Sequence, residues 1–274
     1  MKKIVVPIDF SQFSENALLS AIKIAETGNM DIHCINVVET DLDWKHLTEK
    51  EKANHPDIQD LEDEANRKLN EFVDSHKAKY MDMIAVVRTG VVAEEIVHYS
   101  DEIAADLVVV GAYGKGYEEG KFIGSDFQKV LRKASGPVLA IKKAFEDSEF
   151  MEMVFASRFD DDSWPVFLKM RPLIKALDAK VHFLYVNTPD HFTPEDEAEK
   201  QMGKFAEGQD DIKIEKHIHD FAEVEKGIID FSENKNIGII GIASHHREKA
   251  RSYQIGVTET VLFKTSIPVL SIKL

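Results

Sequence analysis

Three glycines and a serine are the residues here whose types and spacing could do chemistry. Gly111, Gly114 and Gly124 follow the pattern Gly-x2-Gly-x9-Gly, and Ser125 comes directly after. Glycine carries no Cβ, so the backbone can approach an anion closely and reach positive φ cheaply. Ser125 adds a hydroxyl donor. Behind it, Phe127, Val130, Leu131 and Ala134 recur at helical spacing, which puts Ser125 at a helix start. A helix N-terminus offers unpaired N–H groups and partial positive charge, both suited to phosphate. Ahead of the glycines, Leu107 to Val110 is apolar, with three β-branched valines, and reads as a buried strand. The order is strand, glycine-rich loop, helix start. Read from these residues alone, the loop either cradles phosphate or makes an ordinary turn.

A second candidate is Asp9, at the end of the apolar run Lys3 to Ile8. Beside the fourth strand of a doubly wound sheet it would lie where such sheets bind ligands, at the carboxyl ends of the strands. A carboxylate there accepts ribose hydroxyls; it can equally cap the helix that follows.

These stretches resemble one known family. Gly111-x2-Gly114-x9-Gly124-Ser125 is similar to the ATP-binding pattern of the universal stress proteins. Ile4-Val-Val-Pro-Ile-Asp-Phe-Ser11 resembles that family's opening strand, and Ser135-Gly-Pro-Val-Leu-Ala-Ile141 its last. The resemblance implies an α/β fold with a five-stranded, doubly wound parallel sheet, Rossmann-like and akin to the adenine nucleotide alpha hydrolases. It implies ATP as ligand, with Mg as a candidate companion. It places Pro7, Asp9, Gly111, Gly114, Gly124 and Ser125 in the nucleotide site, and sets Val38 against adenine through its backbone.

The elements that must position these residues can be read in order. Phe13 to Ala25 has helical apolar spacing and stops at Gly28. Asp31 to Val38 is a strand, Glu39 to Asp60 a charged excursion, and Leu61, Ala65, Leu69, Phe72 and Val73 one helical face. Met83 to Val87 is a strand, Ala93 to Ala104 a helix, and Pro137 to Lys142 a fifth strand. Alternating strands and helices predict a parallel sheet with crossover helices. Lys143 to Glu149 is charged and aperiodic, and the series then restarts, with strands at Met153 to Ser157, Lys180 to Val186, Ile212 to Ile218, Ile237 to Ile242 and Ile267 to Ile272. Lys133-Ala-Ser-Gly-Pro-Val-Leu-Ala-Ile-Lys142 aligns with Lys264-Thr-Ser-Ile-Pro-Val-Leu-Ser-Ile-Lys273. A repeat half the chain long is a domain, not a solenoid unit. The expected domains are 1–145, with the intact loop, and 146–274, a degenerate copy, together forming an internal pseudo-dimer. A homodimer is a further candidate.

The second copy loses the loop. Gly241-Ile-Ala-Ser244 sets Ser244 where Gly114 stood, Gly256 comes two residues late, and Val257 replaces the hydroxyl. Arg158 stands opposite Asp9. One ATP per chain is expected, in the first domain.

Composition bounds the rest. The 274 residues are 43% hydrophobic, enough for packed cores, and carry a formal net charge of −15, which disfavours nucleic-acid and anionic-membrane partners. Cys34 is the single cysteine and sits in an apolar strand pattern, so it reads as a small core residue. No long apolar run exists and Met1-Lys2-Lys3 leads into a strand, so the expectation is cytoplasmic, with no membrane partner. His217 and His219 alternate on a strand and His245-His246 follow another. The pairs lie on different elements without a supporting cysteine, so no metal site is assigned. Asp160-Asp-Asp162 before Ser163 reads as a helix start. No Gly-x-Ser-x-Gly, Walker loop or Ser-Gly-Gly-x-Asp-Ser loop appears, no catalytic residue is assigned, and no general base for water can be named. The leading expectation is an ATP-binding regulatory or stress-response module with an unknown protein partner. The alternatives are a nucleotide-free scaffold and a slow ATPase or phosphotransferase.

Overall fold

The structure is a computed structural model that describes residues 1–28, 30–77, 82–113, 126–145, 149–244 and 256–273. Its contacts divide the chain into two compact units, Met1–Ser135 and Gly136–Leu274.

In the first unit, strands β1 (Lys3–Pro7), β2 (Asp31–Glu39), β3 (Met83–Gly90) and β4 (Leu107–Gly111) are all parallel, in the order β3-β2-β1-β4. The apolar runs of β1, β2 and β4 are largely buried, as parallel strands between helices require, while β3 at the edge is only half-buried and exposes Ile84. The helices are α1 (Gln12–Gly28), α2 (Glu49–Lys52), α3 (Pro56–Ser75), α4 (Val92–Glu102) and α5 (Asp126–Lys133). Helix α1 buries Ala17, Leu18, Ala21, Ile24 and Ala25, the stripe its spacing predicts.

The excursion after β2 is ordered. A 3-10 turn, Trp44–His46, precedes α2, whose Thr48 and Glu51 form a reciprocal capping box. Pro56 then starts α3 at a position where a missing N–H costs nothing. Ile58, Ala65, Leu69 and Val73 of α3 face inward, while Leu61, expected among them, is half exposed.

The second unit repeats the series with β6 (Glu152–Ala156), β7 (Lys180–Asn187), β8 (Ile214–Asp220), β9 (Ile239–Ser244) and β10 (Val269–Lys273), and helices α6 (Ser163–Ala176), α7 (Glu195–Ala206), α8 (Val224–Asn234) and α9 (Val257–Lys264). Its order β8-β7-β6-β9, all parallel, repeats β3-β2-β1-β4, and β10 continues it beyond β9. Strand β5 (Val138–Ile141) falls by its contacts in this unit and pairs antiparallel with β10, Val269 opposite Ala140 and Ser271 opposite Val138. By contacts the second unit starts at Gly136, ahead of the charged stretch that begins at Lys143.

The backbone shows the repeat independently of side chains. Phe10 and Phe159 both sit at positive φ, 62° and 55°, just after β1 and β6. Ala104 and Asn236 do the same, at 51° and 52°, just before β4 and β9. A phenylalanine in the left-handed region is strained by about 1–2 kcal/mol, and both copies hold it where strand turns into helix.

Candidate functional site

The strand order places the first unit's switch point between β1 and β4. Strand β1 pairs with both β2 and β4, so its carboxyl end opens between them. The register sets Ile4 opposite Leu107 and Val5 opposite Val108. Continued, it brings Ile8 level with Gly111 and Asp9 level with Ala112.

Asp9 follows Pro7, the last residue of β1, and its carboxylate is firmly held. Oδ1 accepts hydrogen bonds from the Ser11 N–H at 3.0 Å and the Ser11 hydroxyl at 2.6 Å. Ser11 Oγ in turn accepts from the Ser14 N–H at the head of α1. Asp9 thus organises the turn into the helix, the capping duty the sequence offers as its alternative role. The last carbonyl before it is held too, by Asn36 Nδ2 donating to Ile8 O at 2.7 Å.

Gly111 ends β4. A Cβ built on it would lie 2.7 Å from both the carbonyl carbon and oxygen of Phe13 and 2.9 Å from its Cβ. Glycine here lets the first turn of α1 lie directly on β4. The chain that continues from it stays against the helix, with the Tyr113 ring meeting Phe13 edge to face at 5.2 Å.

Val38, near the end of β2, lies three residues beyond Ile35, the last residue of β2 paired with β1, and is paired with Thr89 of β3. Its side chain is buried with Trp44, Ile58 and Ala65. Behind this cluster Glu62 Oε1 accepts from Trp44 Nε1 at 2.8 Å and from the Thr89 hydroxyl at 2.5 Å. The side-chain duty of Val38 is core packing, which leaves the backbone as its means of touching a ligand. Gly114, Gly124 and Ser125 lie outside the described residues; α5 begins at Asp126, whose carboxylate is paired with Lys129 at 2.9 Å. So the structure brings Pro7, Asp9, Val38 and Gly111 to one edge of one sheet, at the carboxyl ends of three adjacent strands.

The second unit departs at the same edge. Phe159 confirms that Arg158 is opposite Asp9, and Arg158 is exposed. Phe159 itself is buried among Phe155, Phe183 and Phe205. Ahead of α6, Asp160 Oδ1 accepts from the Ser163 N–H and hydroxyl and holds the turn into the helix. The register corrects one equivalence. Met153 pairs with Ile239 as Ile4 pairs with Leu107, so Ala243, not Gly241, stands opposite Gly111. Gly241 lies mid-strand, where its missing Cβ admits Met170 Sδ. His245 and His246 lie outside the described residues.

Two titratable groups sit apart from this edge. Burial pushes the Cys34 thiol up to about 12, as befits a core thiol. Lys142 lies at the end of β5 and donates from Nζ to the carbonyls of Phe263 and Thr265 at the end of α9, at 2.9 and 2.7 Å. Desolvation brings its pKa down to about 8.

A cluster missed in the sequence lies toward the amino ends of the second unit's strands. His182 of β7 is buried, with Nε2 2.6 Å from Glu152 Oε2 and Nδ1 2.9 Å from His217 Nε2. Glu215 Oε1 is paired with Lys180 at 2.7 Å. His219 is paired with Asp230 at 3.0 Å. The Lys180 hydrogen bond holds the Glu215 carboxyl below its usual range, and burial with the neighbouring His182 lowers His217. The signal was available: Glu215, His217 and His219 alternate on one face of β8, and His182 interrupts an apolar strand.

Comparison with known proteins fixes the class. The universal stress protein family profile matches residues 1–142. Universal stress protein MJ0531 of Methanocaldococcus jannaschii is 31% identical over 151 residues, covering 52% of this chain and 82% of the relative. Universal stress protein MJ0577 of the same organism is 27% identical over 161 residues, covering 52% and 95%. In fold, a universal stress protein from Archaeoglobus fulgidus superposes with a TM-score of 0.76 at 16% identity, over 99% of this chain and 98% of that one. The chain belongs to the universal stress protein family. Among the described residues no helix is long and apolar enough to cross a membrane.

Proposed function

We propose that the first unit binds an adenine nucleotide, ATP, and that the protein acts as a nucleotide-dependent regulatory module. The observation that carries this is the placement of Asp9 and Gly111 at the carboxyl ends of β1 and β4, the switch point of the β3-β2-β1-β4 sheet, where open α/β sheets take ligands. From Gly111 the glycine pattern runs on to Ser125, immediately before α5. In this reading Gly114, Gly124 and Ser125 hold phosphate oxygens. Asp9, oriented by Ser11, accepts ribose hydroxyls, and the backbone at Val38 meets adenine. Mg would accompany the phosphates and supply charge neutralisation. In this reading the second unit has no equivalent site among its described residues, where Arg158 replaces the acceptor and Ala243 the strand-end glycine. The module is proposed to work in the cytoplasm through a protein partner.

A nucleotide-free scaffold is the second reading, and two observations favour it. Asp9 has a capping duty and Gly111 a packing duty, and each suffices to explain its residue type. Calorimetric titration of the full chain with ATP separates the two readings. One site per chain is expected, abolished in Gly114→Val and Gly124→Val. Absence of binding selects the scaffold, whereas wild-type affinity in both variants would put the nucleotide elsewhere and overturn the glycine-loop assignment.

A further inference from the structure

We propose that His182, His217 and Glu215 of the second unit bind a divalent cation of the zinc type. Among the described residues these three alone bring metal-ligating atoms of three side chains within 4.8 Å of one another. The site is distinct from the nucleotide edge, for it lies toward the amino ends of the strands in the other unit.

Strand register builds it. His182 of β7 stands opposite Glu215 of β8 in a parallel ladder. His217 follows Glu215 by two residues, so both present to the same face. The three ligand atoms form a triangle. His182 Nδ1 is 2.9 Å from His217 Nε2, and each nitrogen is 3.6 Å from Glu215 Oε2. Zinc bound at about 2.05 Å in a tetrahedron has ligand–ligand edges of about 3.35 Å. The observed edges average about 3.4 Å, and the point equidistant from all three atoms lies roughly 2.0 Å from each. A cation slightly out of that plane meets three protein ligands at ordinary bond length. The fourth position faces away from the triangle and takes water.

The surrounding groups orient the ligands for this. Glu152 Oε2 accepts the proton of His182 Nε2 at 2.6 Å, which leaves a lone pair on Nδ1. A carboxylate behind a ligating histidine is the usual orienting partner of zinc sites. Lys180 holds Glu215 Oε1, so that Oε2 is the oxygen turned to the histidines. With no cation, His217 Nε2–H donates to His182 Nδ1. With one, His217 carries its proton on Nδ1 instead, both imidazoles enter neutral, and no net proton is released. His182 is buried, and Phe231 of α8 lies 4.9 Å from the His217 ring, so the cation would tie the outermost strand of the sheet to its neighbour beneath an apolar cover.

The test uses the full chain, stripped with chelator and free of nucleotide, titrated with zinc and separately with cobalt(II). One zinc per chain is expected, with a higher melting temperature and the intense visible bands of four-coordinate cobalt. Glu215→Gln, at a half-exposed position, and His217→Gln should each weaken zinc at least tenfold. Glu152→Gln should weaken it roughly 10- to 100-fold by misorienting His182, while His219→Gln should bind as wild type. If His217→Gln fails to fold, Glu215→Gln alone decides. No zinc uptake by the wild type, the weak spectrum of six-coordinate cobalt, or unchanged affinity in Glu215→Gln overturns the proposal.

Discussion

Gly111→Ala separates a glycine kept for packing from one kept for a ligand. The new methyl would sit 2.7 Å from the backbone carbon and oxygen of Phe13, where ordinary contact begins near 3.4 Å. The obstacle is main chain at the start of α1, so it cannot rotate away; helix and strand must separate by about 0.7 Å. Overpacking of this kind costs about 1–3 kcal/mol. The first unit spans Met1–Ser135. At about 2.1 cal/mol/K per residue its unfolding entropy is roughly 0.28 kcal/mol/K, so Tm should fall by about 4–11 °C. Gly241→Ala is the comparison. Its methyl meets Met170 Sδ and Cε at 2.7 and 2.8 Å, the far end of a flexible side chain, and Val154 O at 3.1 Å. Its loss should be about 1 kcal/mol or less. Thermal melts of both variants and the wild type, without nucleotide, decide the matter. Equal melting of Gly111→Ala and wild type, or a larger loss in Gly241→Ala, would refute the packing argument.

The other expectations are smaller. Asp9→Ala should weaken ATP more than inorganic triphosphate, because Asp9 reads ribose; equal losses in calorimetry would reject that division. The same variant should lose about 1 kcal/mol in urea unfolding through the missing cap. Titration should find one ATP per chain, and two equivalent sites would show the second unit to be functional. Cys34, its thiol pushed to about 12, should resist a thiol reagent at pH 8 in the folded chain and react on unfolding; rapid labelling of native protein would contradict its burial. Lys142 has a folded pKa of about 8, below its ordinary value of 10.5. The unfolded chain therefore binds more protons between those values, and this group makes stability rise with pH from about 8 to 10.5. Urea midpoints across that window should rise less in Lys142→Met; identical slopes would show that the two carbonyl bonds hold the lysine charged.

Much of this arrangement is legible in the sequence. Strands β1, β2, β3 and β4 and their helices lie within a few residues of their apolar runs, because a buried parallel strand has to be apolar on both faces. Asp9 and Gly111 can be placed at strand ends for the same reason. What is hidden is what depends on neighbours. Leu61 keeps helical spacing with Ala65 and Leu69 yet points outward, because Ile58, one turn earlier, occupies the pocket beside Trp44. Strands β8 and β9 begin two residues later than their hydrophobic runs suggest, and that shift moves Ala243 into the place the sequence gives to Gly241. The histidine cluster escapes a search along the chain because His182 and His217 meet only across a ladder.

The placement of β5 governs how this protein can be divided. A fragment starting at Glu149 looks complete by sequence, for it contains every strand of the second repeat. Yet it omits Val138–Ile141, which hydrogen-bonds along β10. Cutting there leaves the donors and acceptors on the β5 side of β10 without partners, a template for sheet-to-sheet association. Such a fragment should self-associate or precipitate, for a reason unrelated to the stability of its core. One beginning at Gly136 keeps the pairing of β5 with β10, and belongs beside it in any experiment that asks what the second half does alone.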